Sequence, residues 1–120
     1  MSGINALFST ALSGLNAATA ILNTSASNIA NAETPGYPSR RVGLTESASG
    51  GVSVGPTTRD SSSGGIDEDG AELSNVDLPT ELVQLKQGQI LYQANAAVVR
   101  AGDEMLGTLL DIFDDGRRHP

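Results

Sequence analysis

The chain has 120 residues, enough for one domain and hardly a second, and its 7 basic and 14 acidic residues give a formal net charge of −7. This acidic balance argues against a protein that binds nucleic acid without sequence preference, and against docking on an anionic membrane. Cysteine is absent, which excludes disulfides and thiolate sites, and only four aromatic residues leave an isolated globule of this size marginal. We therefore expect burial to be completed against copies of the chain or against partners.

The first 32 residues carry no charge and repeat apolar or small residues at steps of four and three, the period of a coiled-coil seam. This pattern predicts a helix over residues 4–31. A signal peptide is not expected because no basic region precedes the apolar residues, nor is a transmembrane helix, because polar residues interrupt them. The uncharged outer face favours a helix packed on several sides in an assembly over an ordinary surface helix. The predicted seam consists of Ile4, Phe8, Ala11, Leu15, Ala18, Leu22, Ser25 and Ile29.

A helix stop follows at Thr34-Pro35-Gly36. It predicts a type II turn, because Pro sets φ at the first central position and Gly accepts a positive φ at the second. Two short alternating runs, residues 41–44 and 52–54, predict a small β-hairpin that leans on the helices. The Ser/Gly-rich and acidic residues 59–72 predict a mobile loop.

Asp77 is predicted to be the N-cap of a second long helix, with Pro79 in its first turn. The apolar heptad of this helix ends at Phe113, and the polar residues 114–120 are expected to fray. Gly88 and Gly102 should each weaken the helix by about 1 kcal/mol relative to Ala. The predicted seam consists of Leu78, Leu82, Leu85, Gln89, Tyr92, Ala96, Val99, Asp103, Leu106, Leu110 and Phe113, with Asn95 near the packing surface. An apolar flank, too wide for one partner helix to cover, consists of Val83, Ile90, Ala94, Ala97, Ala101, Met105, Leu109 and Ile112.

The sequence predicts neither an enzyme nor a cofactor, metal or small-molecule site. The single histidine, His119, lies in the terminal segment and is not expected to be held as a catalytic base. Asp67 and Asp69 resemble the start of a calcium loop, but Leu78 stands where such a loop requires Glu. No glycine pair is followed by the Gly-Lys-Ser/Thr of a phosphate-binding loop.

The end of the first helix carries a more specific signal. Ala30-Asn31, followed after two residues by Thr34-Pro35-Gly36-Tyr37, resembles the signature of bacterial flagellar axial proteins, the family of rod, hook and hook-associated proteins. Residues 74–78, 92–96 and 103–110 resemble the C-terminal helix of the same family in order and spacing. The motif either fixes turn geometry, makes direct subunit contacts, or does both. Its residues here are Asn28, Ala30, Asn31, Thr34, Pro35, Gly36 and Tyr37.

The resemblance implies a structural subunit of the flagellar basal-body rod, most like a short proximal-rod protein. In that family the terminal helices pair and stack into an axial tube, contacting copies of the subunit and other axial proteins. Export through the flagellar type III apparatus, without a cleaved signal peptide, is also implied. The expected assembly residues are Ile4, Phe8, Leu15, Leu22, Ile29, Leu78, Leu82, Leu85, Tyr92, Asn95, Val99, Leu106, Leu110 and Phe113.

The expected fold is mainly α, with the two heptad helices packed antiparallel and a small hairpin and loop between them. Residues 1–33 are expected to form the N-terminal axial helix, residues 34–74 the turn, hairpin and loop, and residues 75–120 the C-terminal axial helix and its polar tail, with one structural domain built from both ends. The alternative function is a small coiled-coil adaptor or chaperone-like module of flagellar export and assembly.

Overall fold

The computed structural model describes residues 2–118, with helix α1 (Ser2–Ala30), strand β1 (Arg40–Glu46), strand β2 (Val52–Arg59) and helix α2 (Leu78–Arg118) in chain order. The body is elongated, measuring 85 × 24 × 14 Å. The two helices pack against each other along their length, and the strands form one two-stranded antiparallel sheet. This architecture confirms the predicted mainly α fold.

Glycines mark the closest approach of the two antiparallel helices. Phe8 of α1 lies against Gly102 of α2, and Leu22 lies against Gly88. A methyl group on Gly102 would stand 2.8 Å from the Phe8 ring, and one on Gly88 would stand 3.1 Å from Leu22. These glycines weaken the isolated helix, but in the fold their lack of a side chain leaves the space that Phe8 and Leu22 of α1 occupy.

The α2 seam overlaps the predicted one only in part. The predicted seam positions that are half-buried are Leu85, Ala96, Val99 and Leu106. The predicted positions that are instead exposed are Leu78, Leu82, Gln89, Tyr92, Asp103, Leu110 and Phe113. The prediction was wrong at these positions because it followed bulky apolar residues, whereas the close contact moves one set of seam positions a residue earlier, to Glu81, Gly88, Asn95 and Gly102.

Small residues make up the buried part of α1. Ala11, Ala17 and Ala18 are the buried apolar side chains of the described residues. Gly14 faces the side chain of Asn95 so closely that any side chain at position 14 would overlap it. The core between the helices is therefore thin, since alanine and glycine bury little apolar area.

The hairpin packs on α1 rather than on α2, so that α1 is the middle layer. At its tip, the Val52 amide donates to the Ser13 hydroxyl at 3.1 Å. The strand register shifts between Val42 and Leu44, so that Gly55 and Pro56 of β2 stand opposite the single residue between them on β1. This β-bulge tolerates a proline, which has no N–H to donate to the ladder. The hairpin confirms the predicted strands, which are longer than expected. It also covers part of the uncharged face of α1.

By length and composition alone, Gly3–Ala30 would also suit a membrane span, contrary to the expectation that its polar residues exclude one. In this structure the same helix lies between α2 and the hairpin. Its buried residues include Ser25 and Asn28, which are polar. The helix is thus packed on two sides by its own chain.

The ends of α2 differ in how well they were predicted. Asp77 precedes the first helical residue as expected, and the Thr80 hydroxyl donates to its carboxylate at 2.6 Å. α2 continues to Arg118, beyond the end of its apolar heptad at Phe113, and the predicted fraying from residue 114 stays a prediction. His119 and Pro120, the end of the predicted tail, lie outside the described residues. The predicted mobility of residues 59–72 stays a prediction.

We expect Gly102→Ala to be less stable than Gly107→Ala by about 1–3 kcal/mol. Both changes improve helix propensity equally, but Gly107 has open space around its Cα, whereas a methyl at position 102 meets the Phe8 ring. Urea unfolding followed by circular dichroism measures the difference. Equal stabilisation by both substitutions would show that the helices are not in close contact at Gly102.

Candidate functional site

The signature residues lie where the C-terminal end of α1, the following turn, the start of β1 and the first turn of α2 meet. We call this region the junction. It includes residues 28–41, 60–62 and 72–75 together with Glu81. Most of the side-chain hydrogen bonds that link distant parts of the chain occur here, so the junction sets how the hairpin leaves the helix pair.

The turn after α1 has the predicted geometry. Gly36 has a φ of 69°, and the Tyr37 amide donates to the Thr34 carbonyl at 3.2 Å. A positive φ at the third residue of a turn closed in this way is the type II arrangement, which favours glycine. The Thr34 hydroxyl donates to the Asn31 side chain at 3.0 Å, which ties the turn to the end of the helix.

Asn28 joins α1 to the first strand. Its side chain is fully buried, its Nδ2 donates to the Arg40 carbonyl at 2.8 Å, and its Oδ1 accepts from the Arg40 amide at 2.9 Å. The amide side chain thus imitates a neighbouring strand and satisfies both backbone groups of one residue. Asn31, by contrast, bonds locally, donating to the Ser27 carbonyl at 2.9 Å. Asn28 therefore fixes the hairpin on the helix, and Asn31 completes the helix end.

Asn75 performs a similar role from the segment before α2. Its Oδ1 accepts from the Ser39 amide at 2.6 Å, and its Nδ2 donates to the carbonyls of Asp60 and Ser62, each at 2.8 Å. One side chain thus holds the start of β1 and the exit of β2 together. The carboxylate of Asp60 accepts from the hydroxyl and the amide of Ser62, and these bonds lower its pKa. Any stability that this carboxylate contributes is present at neutral pH and lost as the pH falls through its lowered pKa.

Glu81 is fully buried in the first turn of α2 and pairs with Arg41 of β1. Arg41 Nη2 lies 2.6 Å from Glu81 Oε1, which is an ion-pair distance. The other carboxylate oxygen, Oε2, is buried and has no hydrogen-bond partner among the described residues. The Arg41 side chain is partly exposed, at 41%. The pair therefore links the hairpin to α2 at the cost of a buried charge.

The structure separates the predicted site residues into groups. Of the signature residues, Asn28 is buried, Asn31 and Tyr37 are half-buried, and Ala30, Thr34, Pro35 and Gly36 are exposed. The expected assembly residues that are half-buried along the helix pair are Ile4, Phe8, Leu15, Leu22, Ile29, Leu85, Asn95, Val99 and Leu106. Those that are exposed are Leu78, Leu82, Tyr92, Leu110 and Phe113. Each of these side chains is at least 43% exposed in the isolated chain, and its part in assembly stays a prediction.

Sequence reasoning missed the junction roles of Ser39, Arg41, Asn75 and Glu81. Glu81 stands four residues before Leu85 and seven before Gly88, so the glycine-containing heptad includes it. That heptad would have predicted a buried glutamate, which needs a positively charged partner. Ser39 and Asn75 gave no comparable signal, because their pairing depends on how the loop returns to the hairpin.

α2 also carries an apolar stripe on the side away from Gly88. Its members follow one another at steps of three, four or seven residues and so share one side of the helix. We call the set the outer stripe, and it consists of Val83, Ile90, Ala94, Ala97, Ala101, Met105 and Ile112. All seven are exposed, with Val83 and Ile90 at 55% and Ile112 at 62%. The wide flank expected from the sequence is thus left open within this chain, except at Leu109, which is half-buried.

We expect Asn28→Ala to lower the free energy of unfolding by about 2–3 kcal/mol, because both backbone groups of Arg40 lose a buried partner. Asn31→Ala is the matched control. It removes an amide from the same motif but only exposed local bonds, to the Ser27 carbonyl and from the Thr34 hydroxyl, and should cost about 1 kcal/mol or less. Chemical denaturation measures both. Equal losses would mean that Asn28 acts only as a helix-end residue.

We expect Arg41→Ala to cost about 3 kcal/mol, because it leaves the Glu81 carboxylate buried without a counter-charge. The double variant Arg41→Ala/Glu81→Leu removes that charge and should recover to within about 1 kcal/mol of the original stability. The same denaturation assay tests the pair. A double variant no more stable than the single one would contradict this account of the ion pair.

The comparisons with known families match both sides of the junction. Residues 8–37, from Phe8 of α1 through the turn, match the family model described as flagella basal body rod protein. Residues 71–112, from the segment holding Asn75 to near the end of α2, match the model described as flagellar basal body rod FlgEFG protein C-terminal. No curated protein matches the chain closely enough to be reported as a relative. Since the two models do not overlap, occur in the family's order and together match more than half of the residues, the chain belongs to the flagellar basal body rod protein family.

Proposed function

We propose that the protein is a short rod subunit of the proximal type, which assembles with copies of itself and with other axial proteins through α1 and α2 to support flagellum-dependent motility. Family membership implies a structural role in the flagellar basal body and contact with other rod and axial proteins. The proposal adds self-assembly through the helices, and export by the flagellar type III apparatus without a cleaved signal peptide. The proximal type is supported by the short connection between the helices, which contains only a hairpin and a loop.

The observation that carries the assembly step is the outer stripe together with the end of α2. Contiguous exposed apolar surface usually marks an interaction site. Phe8 lies beside Gly102, and α1 begins six residues before Phe8, at Ser2. In this antiparallel pair α2 therefore continues beyond the start of α1 for about ten residues, or roughly 15 Å. Leu110, Ile112 and Phe113 in that extension are each at least 60% exposed. One copy therefore offers apolar surface both along and beyond its helix pair.

The partner surface on another copy is the uncharged face of α1. Its exposed residues include Asn5, Ser9, Leu12 and Asn16. A face without charge can be buried without desolvating an ion, so it suits a helix contact between acidic subunits. Thin packing within the chain and open faces on both helices are what a subunit needs if its neighbours complete its core.

The test is a strain that lacks the chain and is complemented with variants. We expect the deletion to abolish filament formation and swimming, and the original sequence to restore both. Ile90→Glu should not restore swimming, because it introduces a charge into the outer stripe. Gln89→Glu, which adds the same charge at the adjacent exposed position, should restore it.

Two readouts separate the outcomes. Circular dichroism of both purified variants should match the original, since each change is on the surface of the isolated chain. Basal bodies purified from the complemented strains should contain the chain with Gln89→Glu and lack it with Ile90→Glu. A deletion strain that swims normally would overturn the rod assignment, and a non-swimming deletion strain would favour the adaptor role if basal bodies purified after complementation with the original sequence lacked the chain.

A further inference from the structure

The base of the hairpin concentrates positive charge in an otherwise acidic protein. Arg40 and Arg59 are directly paired across the two strands, and Arg41 is the next residue. Like charges directly opposite each other destabilise a sheet. Arg41 is neutralised by Glu81, but no carboxylate of the described residues lies within ion-pair distance of Arg40 or Arg59.

Arg40 carries a buried donor that this chain does not use. Its Nε is buried and has no hydrogen-bond partner in the part of the chain that the structure describes. Its guanidinium carbon lies 5.8 Å from the centre of the Tyr37 ring, which orients the group without accepting its N–H bonds. A buried donor of a charged group without an acceptor is costly, so its acceptor should come from outside the chain.

The surroundings of Arg40 suit an oxyanion. Arg40 lines a cavity of about 190 Å³ between α1 and the hairpin, together with Asn23, Thr24, Ser27 and Thr57. Three hydroxyl groups and one amide are thus available beside a guanidinium, and no carboxylate lines the cavity. Thr57 and Arg59 stand two residues apart on β2 and so share the face that carries Arg40. A planar guanidinium with neighbouring hydroxyl donors matches a carboxylate group.

We propose that this cavity binds a side-chain carboxylate of a second copy of the chain, an inference that rests on the proposed self-assembly. Acidic residues outnumber basic ones by two to one, so a neighbouring copy offers many exposed carboxylates and few cations. Subunits with a net charge of −7 repel each other, and a local cationic site selects the one arrangement that offsets this repulsion. The site orients the contact, and the apolar faces of the helices supply most of its area.

The test compares self-association of the full chain by sedimentation velocity at low and high NaCl. We expect Arg40→Met to raise the concentration for half-association at low salt by at least about tenfold, since truncating one partner of a buried charge pair is costly. Arg100→Met removes the same charge from an exposed site on α2 and should change it by less than about twofold. High salt should weaken association of the original chain relative to that of Arg40→Met, in which only the repulsion between the acidic subunits remains to be screened.

Two further measurements identify the occupant and control for folding. Arg59→Met removes an exposed charge from the same face, and should weaken association less than Arg40→Met does. In the original chain, NMR of the Arg40 Nε–H should show a shift with added acetate, and acetate should compete with self-association. Circular dichroism confirms that each variant folds, which is expected because Asn28 holds only the backbone of Arg40.

Three outcomes would overturn the proposal. If the Arg40→Met variant associates as strongly as the original chain, the cavity holds water and not a carboxylate of a second copy. Binding of inorganic phosphate at Arg40, with association unchanged by phosphate and by the substitution, would make it a free-anion site. A chain that never self-associates would remove the second copy as occupant. The rod role would still stand if the deletion strain failed to swim and basal bodies contained the chain, so the two failures are distinguishable.

Discussion

The close contact of α1 with α2 at glycine residues is the constraint on which the rest of the structure depends. Phe8 and Leu22 enter spaces that exist only because Gly102 and Gly88 lack side chains. This contact selects one face of α2 and brings Glu81 to the buried side of its first turn. It also turns the outer stripe away from α1. The buried ion pair, the open apolar face and the extension of α2 all follow from the same helix register.

The junction converts this helix contact into a defined hairpin position. Asn28 holds β1 from α1, Asn75 holds it from the segment before α2, and Arg41 ties it to Glu81. Each tie is polar and directional, unlike the contacts of the apolar core, so together they specify an orientation as well as adding stability. The short signature after α1 is therefore one side of a three-way connection, and the other two sides lie far along the chain, on either side of the start of α2.

The same features that stabilise the isolated chain leave it incomplete. Among the described residues, the core holds three buried alanines, while fifteen large apolar side chains are exposed. A chain with so little internal burial gains much from neighbours, which agrees with a structural role in the rod. The proposed contact at the Arg40 cavity would restrict how neighbouring subunits are oriented, because apolar faces alone permit many arrangements and a charged contact permits few.

The sequence by itself determined the local features of this protein. The helix stop at Thr34-Pro35-Gly36, the N-cap at Asp77, the hairpin and both long helices were predicted because each depends on residues within a few positions of one another. Only the tertiary structure decided which face of α2 meets α1. At one set of seam positions on α2, large residues such as Leu82 and Leu110 give way to the glycines one residue earlier in the heptad, Gly88 and Gly102. The face that α2 presents depends on how closely the two helix backbones can approach, and that distance is set by residues of α1 at the opposite end of the chain. The partners of Asn28, Arg41 and Glu81 are also distant in sequence, so no local pattern could predict them.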